Sequence, residues 1–161
     1  MGTIRTHFLD ASAIVKLLIN EIGSDKIRKY FTQHSCFYTT SLCFAEALGV
    51  LKAKHFHQKE ITEEEYLAAS DLLMAYIAGE SIGIVEIEIK QRCVFREVEN
   101  LVQKYSIDIS DAFQIYTLKK GFLSSLEGDA SPILITGDCN LAKSADKEGL
   151  KVWDCVKDTP P

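Results

Sequence analysis

Long apolar runs are absent from this chain of 161 residues. No uninterrupted apolar stretch is long enough to span a bilayer, so the sequence predicts no transmembrane helix. Near the N-terminus, Arg5, His7 and Asp10 interrupt the apolar region that a secretory signal requires. We therefore expect a soluble, cytoplasmic protein with no membrane association.

Paired cysteines are also absent. The chain has five cysteines, an odd number with irregular spacing, and no CxxC pair of the kind that often binds zinc. Most stand in apolar segments, which predicts small buried side chains in a reducing compartment. The five are Cys36, Cys43, Cys93, Cys139 and Cys155.

The chain lacks an excess of positive charge, since 18 Lys and Arg face 23 Asp and Glu for a formal net charge of -5. This balance argues against tight, non-specific binding to a nucleic-acid duplex. It leaves a nuclease open, because a bound metal ion would supply local positive charge. The length and the 47% hydrophobic content suit one compact domain, assigned to residues 1–155 with a tail at 156–161.

Strand-like and helix-like segments alternate along the chain. Short segments rich in β-formers predict strands at 4–9, 36–40, 83–86, 133–136 and 151–153. Apolar spacing and capping residues predict helices at 11–19, 25–34, 41–56, 63–78, 89–105, 110–120 and 140–148. This alternation predicts an α/β fold with a mostly parallel sheet and helices on both faces.

Local signals refine several of these boundaries. Ser24 is a candidate cap for the second helix and Thr40 or Ser41 for the third, and Thr62 with Glu65 forms a capping-box pattern. Gly149 stands where a helix commonly ends. Residues 121–131 are predicted to form a flexible loop.

Four acids stand in apolar segments, where an ionised carboxylate is costly unless positive charge compensates it. Asp10 and Asp138 each follow a predicted strand, and the carboxyl ends of parallel strands meet at one edge of the sheet. Either could instead be an ordinary helix cap. Asp111 also suits a first helical turn, and Asp108 is the better candidate there for the cap.

Glu46 is the acid that local structure explains least. On a helix it shares a face with Leu42, Cys43 and Val50, so that face should be buried or lie at the edge of the core. A structural ion pair with a buried Lys or Arg is the alternative. Clustered carboxylates repel one another unless a cation shares the site, and oxygen donors without paired Cys or His favour Mg²⁺ or Mn²⁺. Such ions bridge phosphates and activate water, which makes a phosphodiester the natural substrate class.

Four ordered motifs resemble those of PIN-domain ribonucleases: residues 8–16, 44–48, 110–112 and 136–141. The resemblance extends from about residue 3 to residue 153. It implies a three-layer α/β/α fold around a mostly parallel sheet, and hydrolysis of single-stranded RNA by a metal-bound water.

The resemblance also implies roles for the acids. Asp10, Asp111 and Asp138 would hold Mg²⁺ or Mn²⁺ directly or through water. Glu46 would ligate the ion through water or orient the nucleophile.

Three further residues accompany these acids. The resemblance implies that Ser12 and Thr136 support the metal ligands by hydrogen bonds. Lys16 follows Ser12 by one helical turn and could contact substrate phosphate, although a solvated surface lysine is an equal alternative.

Many compact members of the family resemble VapC-type toxins, which a small antitoxin protein neutralises and which commonly form homodimers. The resemblance therefore implies RNA, a small antitoxin and a second copy of the chain as partners. A basic cluster could also meet RNA or an acidic partner, or could be a solvated helix end: Lys52, Lys54, His55, His57 and Lys59.

Two other functions compete with the ribonuclease. A haloacid-dehalogenase-like phosphatase would use Asp10 as its nucleophile, with Asp138 and Asp146 as a late acidic motif. That chemistry needs an acid two residues after the nucleophile, where this chain has Ser12, and it gives Glu46 no role. A catalytically inactive PIN-like interaction module is the other alternative, and the presence of all four acids argues against it.

Overall fold

The computed structural model describes residues 5–125 and 131–161. The strands are β1 (His7–Leu9), β2 (Phe37–Thr40), β3 (Ile82–Val85), β4 (Ile133–Thr136) and β5 (Lys151–Asp154). The helices are α1 (Ala11–Leu18), α2 (Ser24–Gln33), α3 (Ser41–Phe56), α4 (Glu63–Ala78), α5 (Arg92–Tyr105), α6 (Ile109–Lys120), α7 (Phe122–Ser125) and α8 (Cys139–Lys147).

The strands form one parallel sheet in the order β3-β2-β1-β4-β5. The chain extends the sheet from β1 through β2 to β3, and then returns with β4 on the other side of β1. In an open parallel sheet, a crevice forms outside the carboxyl ends of the strands where the order reverses in this way. The switch point lies between β1 and β4; Asp10 follows β1 directly, and Asp138 is the second residue after β4.

The centre of the sheet is covered by helices. Strands β1 and β4 are buried along their whole length, as expected where helices pack on both faces. Helices α1 to α4 contact one another, α5 to α7 form a second group, and α8 packs against β4 and β5. These observations confirm the predicted three-layer α/β/α fold. No helix within the described ranges is long and apolar enough to cross a membrane.

Several predicted helix ends are confirmed. Thr62 Oγ1 accepts a hydrogen bond from the Glu65 N–H at 3.1 Å, and Glu65 Oε2 accepts one from the Thr62 N–H at 2.8 Å. Thr40 caps α3 by accepting from the Cys43 N–H. Gly149 follows α8 with a φ of 82°, a left-handed conformation that glycine adopts readily.

The predicted cap of the second helix was wrong. Ser24 lies inside α2, where its hydroxyl donates to the Ile19 carbonyl, and Gly23 holds the N-cap position. Gly23 has a φ of 94°, and a Cβ added there would lie 2.7 Å from the Cys155 carbonyl oxygen. Backbone packing against the end of β5 therefore requires glycine at this helix start.

Three other predictions need correction or lie partly outside the described residues. Helix α5 begins at Arg92 rather than at residue 89. The segment 121–131 is not all loop, because it begins with α7, while residues 126–130 and 1–4 lie outside the described ranges. Most cysteines are not buried: Cys43 and Cys155 are, but Cys36 and Cys139 are half-buried and Cys93 is exposed.

The boundary between the domain and its tail remains a prediction. Residues just beyond β5 pack against α2, where Lys26 Nζ donates to the carbonyl oxygens of Val156 and Asp158 at 3.1 and 3.0 Å.

Candidate metal and active site

A cleft of about 170 Å³ contains all four acids that the sequence singled out. Two of them follow β1 and β4, so the cleft lies at the switch point of the sheet. Its lining consists of Asp10, Ala11, Ser12, Val15, Glu21, Glu46, Val50, Asp111, Gln114 and Asp138.

Asp10 is the most deeply buried acid of the cleft, with 4% of its surface exposed. As N-cap of α1 it accepts hydrogen bonds from the Ala13 N–H at 2.7 Å and the Ser12 hydroxyl at 2.8 Å, while Thr136 Oγ1 donates at 2.6 Å. Burial raises the pKa of Asp10 to about 6; these hydrogen bonds oppose the rise, and the charge of Asp138 adds to it. Asp10 is therefore both the N-cap of α1 and a buried acid of the cleft, two roles that the sequence alone presented as alternatives.

Thr136 joins the two acids that follow β1 and β4. Its hydroxyl donates to Asp10 and accepts from the Asp138 N–H at 2.9 Å. Asp138 is exposed and caps α8, where its Oδ1 accepts from the N–H groups of Asn140 and Leu141 at 2.6 and 3.0 Å. One buried hydroxyl thus ties Asp10 to the backbone that presents Asp138.

Ser12 makes a second connection between the same two turns. Its Oγ donates to Asp10 and accepts from the Gly137 N–H at 2.7 Å. Ser12 and Thr136 each donate a hydrogen bond to the Asp10 carboxylate and accept one from the backbone after β4.

Asp111 lies half-buried in the first turn of α6. Burial raises its pKa to about 7, and the charges of Asp138, Asp10, Glu46 and Asp108 follow in that order as further causes. Repulsion among carboxylates at this edge of the sheet is therefore substantial, because each negative charge makes ionisation of the next one harder.

Gln114 lies one helical turn after Asp111 and is only 1% exposed. Its Nε2 makes a long hydrogen bond of 3.5 Å to Asp111 Oδ1, and its Oε1 has no partner among the described residues. A buried polar atom without a partner is uncommon, and it often marks a place for water or an ion. Sequence reasoning did not identify Gln114, although it follows Asp111 by three residues.

The helix face of Glu46 takes the second of its two predicted positions. Its α3 face lies at the edge of the core, where Cys43 is buried and Leu42 is half-buried, but Glu46 itself is exposed. Partial desolvation of the carboxylate raises its pKa, with further contributions from the charges of Asp108 and Asp138. Asp10, rather than Glu46, is the acid whose burial is hardest to explain without a cation.

Asp108 occupies the N-cap position of α6, as expected, but its side chain makes no capping hydrogen bond. It lies close enough to raise the pKa values of Glu46 and Asp111. Asp108 is therefore an electrostatic neighbour of the cleft rather than a conventional cap.

The donor chemistry of the cleft suits a divalent cation. The four carboxylates offer oxygen donors of the kind that Mg²⁺ and Mn²⁺ prefer, and the unpartnered Gln114 Oε1 is a further oxygen at the same cleft. No Lys or Arg forms a salt bridge with these four acids in the described part of the chain. Across residues 5–125 and 131–161, however, no three Asp, Glu, His or Cys side chains are grouped closely enough to hold an ion. The acids thus line the cleft as separate donors.

Lys16 is not a free surface lysine. Its Nζ contacts Glu21 Oε2 at 2.8 Å, and Lys54 Nζ contacts Glu21 Oε1 at the same distance. The stem of Lys16 lies over Gly137, where an added Cβ would come within 2.7 Å of Lys16 Cε. Glu21 lines the cleft and was missed by the sequence reasoning, because only the fold brings the loop after α1 against α3.

Comparison with known proteins identifies the fold. A family model described as PIN domain matches residues 7–147. The crystal structure of PAE2754 from Pyrobaculum aerophilum is similar, with a TM-score of 0.62 and 17% sequence identity over 92% of this chain and 84% of that chain. At this identity the structural likeness supports the fold alone. No curated protein matches the chain.

Proposed function

Since the chain belongs to the PIN-domain family, whose members are typically nucleases, we propose that it is an endoribonuclease that hydrolyses single-stranded RNA with Mg²⁺ or Mn²⁺. The observation that carries the proposal is the burial of Asp10 in a cleft of like charges. A carboxylate that lacks a basic partner is costly to bury, and a divalent cation would offset that cost.

The four acids would have two kinds of role. Asp10, Asp111 and Asp138 would hold the ion directly or through water, while exposed Glu46 would ligate it through water or orient the nucleophile. When bound, the ion would neutralise phosphate charge and lower the pKa of the attacking water.

The other side chains would bind and orient. Ser12 and Thr136 fix the Asp10 carboxylate from two sides, so that its oxygens keep one direction. Lys16, which pairs with the cleft residue Glu21 and packs over Gly137, would contact substrate phosphate.

Cleavage of labelled single-stranded RNA by the purified protein tests the proposal. We expect cleavage with Mg²⁺ or Mn²⁺, and none with a chelator. Asp10→Asn and Asp111→Asn should each lower the rate by at least about a hundredfold, since loss of one electrostatic group at a reacting centre commonly has that effect. Cleavage that resists the chelator, or full activity in both variants, would contradict the metal mechanism.

The proposed biological role is that of a toxin held inactive by a small antitoxin, with the chain acting as a homodimer in the cytoplasm. A short neighbouring reading frame whose product binds the protein and blocks cleavage would support this role. Light scattering on the purified chain would test the dimer. A folded protein that binds a partner but cleaves no RNA would instead favour the inactive interaction module.

A further inference from the structure

Two lysines form an ion triad with Glu21, which is the member of the triad that lines the acid cleft. Glu21 bridges Lys16 on α1 and Lys54 on α3, with one carboxylate oxygen directed to each ammonium at 2.8 Å. The two lysine side chains are only 12% and 17% exposed, and that of Glu21 is 21% exposed. These are partly desolvated ion pairs, which bind their partner more firmly than pairs on an open surface do.

Glu21 differs from the other acids of the same cleft. Burial acts to raise its pKa, but hydrogen bonds from Lys16 and Lys54 outweigh that effect and leave the pKa below its ordinary value. The acid cleft is suited to a cation, and at Glu21, on its lining, two ammonium groups from outside the lining converge on one carboxylate. An RNA strand presents a series of singly charged phosphates, so one phosphate could lie at the cation while a neighbouring one contacts the two ammonium groups.

The backbone is arranged so that the Glu21 side chain can leave while the loop stays in place. The Glu21 N–H donates to Ser24 Oγ at 2.8 Å, and the Glu21 carbonyl accepts from the Ser24 N–H at 3.1 Å. Lys16 is held independently by its packing over Gly137. Rotation of the Glu21 side chain would therefore leave Lys16 without its carboxylate and Lys54 with Glu60 alone, so that both ammonium groups could bind another anion.

We propose that Lys16 and Lys54 form a binding subsite for an RNA backbone phosphate, and that the Glu21 carboxylate occupies this subsite in the free protein. The inference rests on the proposed ribonuclease function and deepens it. A phosphodiester carries one negative charge and several acceptor oxygens, so it replaces a bridging carboxylate with the same charge balance. Glu21 is then a competitor of the substrate, and its removal should tighten RNA binding.

Single-turnover cleavage of a labelled single-stranded RNA separates binding from chemistry. The half-saturating protein concentration reports binding, and the maximal rate reports the chemical step. Lys16→Met and Lys54→Met remove the charge and keep the aliphatic stem. Each should raise the half-saturating concentration by about three- to tenfold and reduce its log–log salt slope by about 0.7, the value for one lost contact to a single strand.

Glu21→Gln gives the opposite prediction. The half-saturating concentration should fall by about two- to fivefold, which is the range that a partly exposed ion pair can account for. Glu60→Gln is the matched control, because it removes the same charge and also contacts Lys54, at 2.5 Å, but does not line the cleft. Its effect should be smaller. Glu21→Asp, which is too short to bridge both lysines, should tighten binding as well.

Combining Glu21→Gln with Lys16→Met and Lys54→Met decides between competition and bulk charge. The tightening should vanish when both lysines are replaced, because nothing remains for Glu21 to block. Weaker binding in both Glu21 variants, with thermal unfolding showing that they are folded, would overturn the inference, as would tightening that persists without the lysines. If the wild type cleaves RNA but Lys16→Met and Lys54→Met keep the wild-type salt slope, the subsite alone would be overturned. A wild type that cleaves no RNA would overturn the proposed function, and the subsite with it.

Discussion

The acid cleft and a cluster around Glu148 place carboxylates in opposite electrostatic environments. At the start of α6, Asp111 has its pKa raised to about 7 by burial and neighbouring acids. Just after α8, Glu148 accepts hydrogen bonds from Lys104 at 2.8 Å and from Lys119 and Tyr105 at 2.5 Å each, which lower its pKa to about 2. The first carboxylate is left uncompensated, and the second is fully paired.

This difference teaches where to look for function. The cavity beside Glu148 measures about 230 Å³, larger than the 170 Å³ of the acid cleft. The charged side chains that line this cavity are nevertheless already paired, and we interpret the pairs as structural links among α5, α6 and the end of α8. Carboxylates without a basic partner among the described residues, rather than a large volume, make the acid cleft the candidate ligand site.

Replacing Thr136 by valine should show how strongly the cleft depends on one buried hydroxyl. The change keeps the shape but removes the donor to Asp10 and the acceptor for the Asp138 N–H. We expect RNA cleavage to fall by about ten- to a hundredfold, the usual cost of losing a partner of a metal ligand.

Thr117→Val is its control. The Thr117 hydroxyl is also buried, but it donates to the Phe113 carbonyl within α6, away from the acids. Equal loss of cleavage in the two variants would mean that Thr136 acts only through general stability.

Asp111→Asn should stabilise the metal-free protein. A carboxyl whose folded pKa lies above its unfolded value of 3.8 stabilises the fold at low pH and loses that contribution as the pH rises to about 7. In chelator at neutral pH, the variant should therefore unfold with a free energy about 1 kcal/mol higher than the wild type, discounted for partial exposure.

Added Mg²⁺ should reverse this order, because the ion stabilises the wild type more than the variant. Denaturant titrations with and without Mg²⁺ measure both values. Asp71→Asn, at an exposed position of α4, is the control and should change neither. A variant no more stable than the wild type in chelator would contradict the claim that burial and neighbouring charges make the ionised Asp111 carboxylate costly.

Glu148→Gln should have the smallest effect, and on stability alone. Its folded pKa lies below the ordinary 4.5, so its contribution is present above that pH and is lost as the pH falls through about 2. At neutral pH we expect a loss of about 1 kcal/mol, limited because two of its partners are exposed lysines.

Denaturant titrations at neutral and acidic pH measure the free energy of unfolding and check this prediction. RNA cleavage by Glu148→Gln should equal that of the wild type. Glu97→Gln, which breaks a single exposed pair with Lys120, should cost less. Loss of cleavage in Glu148→Gln would show that the two regions are coupled.

The sequence predicts the fold well because its signals are local. Alternating strands and helices determine the α/β class, and the Thr62 capping box is read directly from four residues. The acids at 10 and 138 are found because they end apolar strands. Such features need only neighbours in the chain.

What the sequence misses depends on packing between distant elements. Glu46 is exposed because its helix face lies at the edge of the core, and apolar spacing alone does not locate that edge. Glu21 meets Lys54 only when the loop after α1 folds against α3. Gln114 gave a weak signal by following Asp111 by three residues, but its burial without a partner for Oε1 is a tertiary fact.

Calorimetric titration of Mn²⁺ into the metal-free protein at neutral pH tests the central claim most directly. Wild type and Glu148→Gln should bind Mn²⁺ saturably and release protons, because the raised pKa values leave the acid cleft partly protonated. Asp10→Asn and Asp111→Asn should each bind at least about tenfold more weakly. Equal binding by all four proteins, or none by the wild type, would contradict the account.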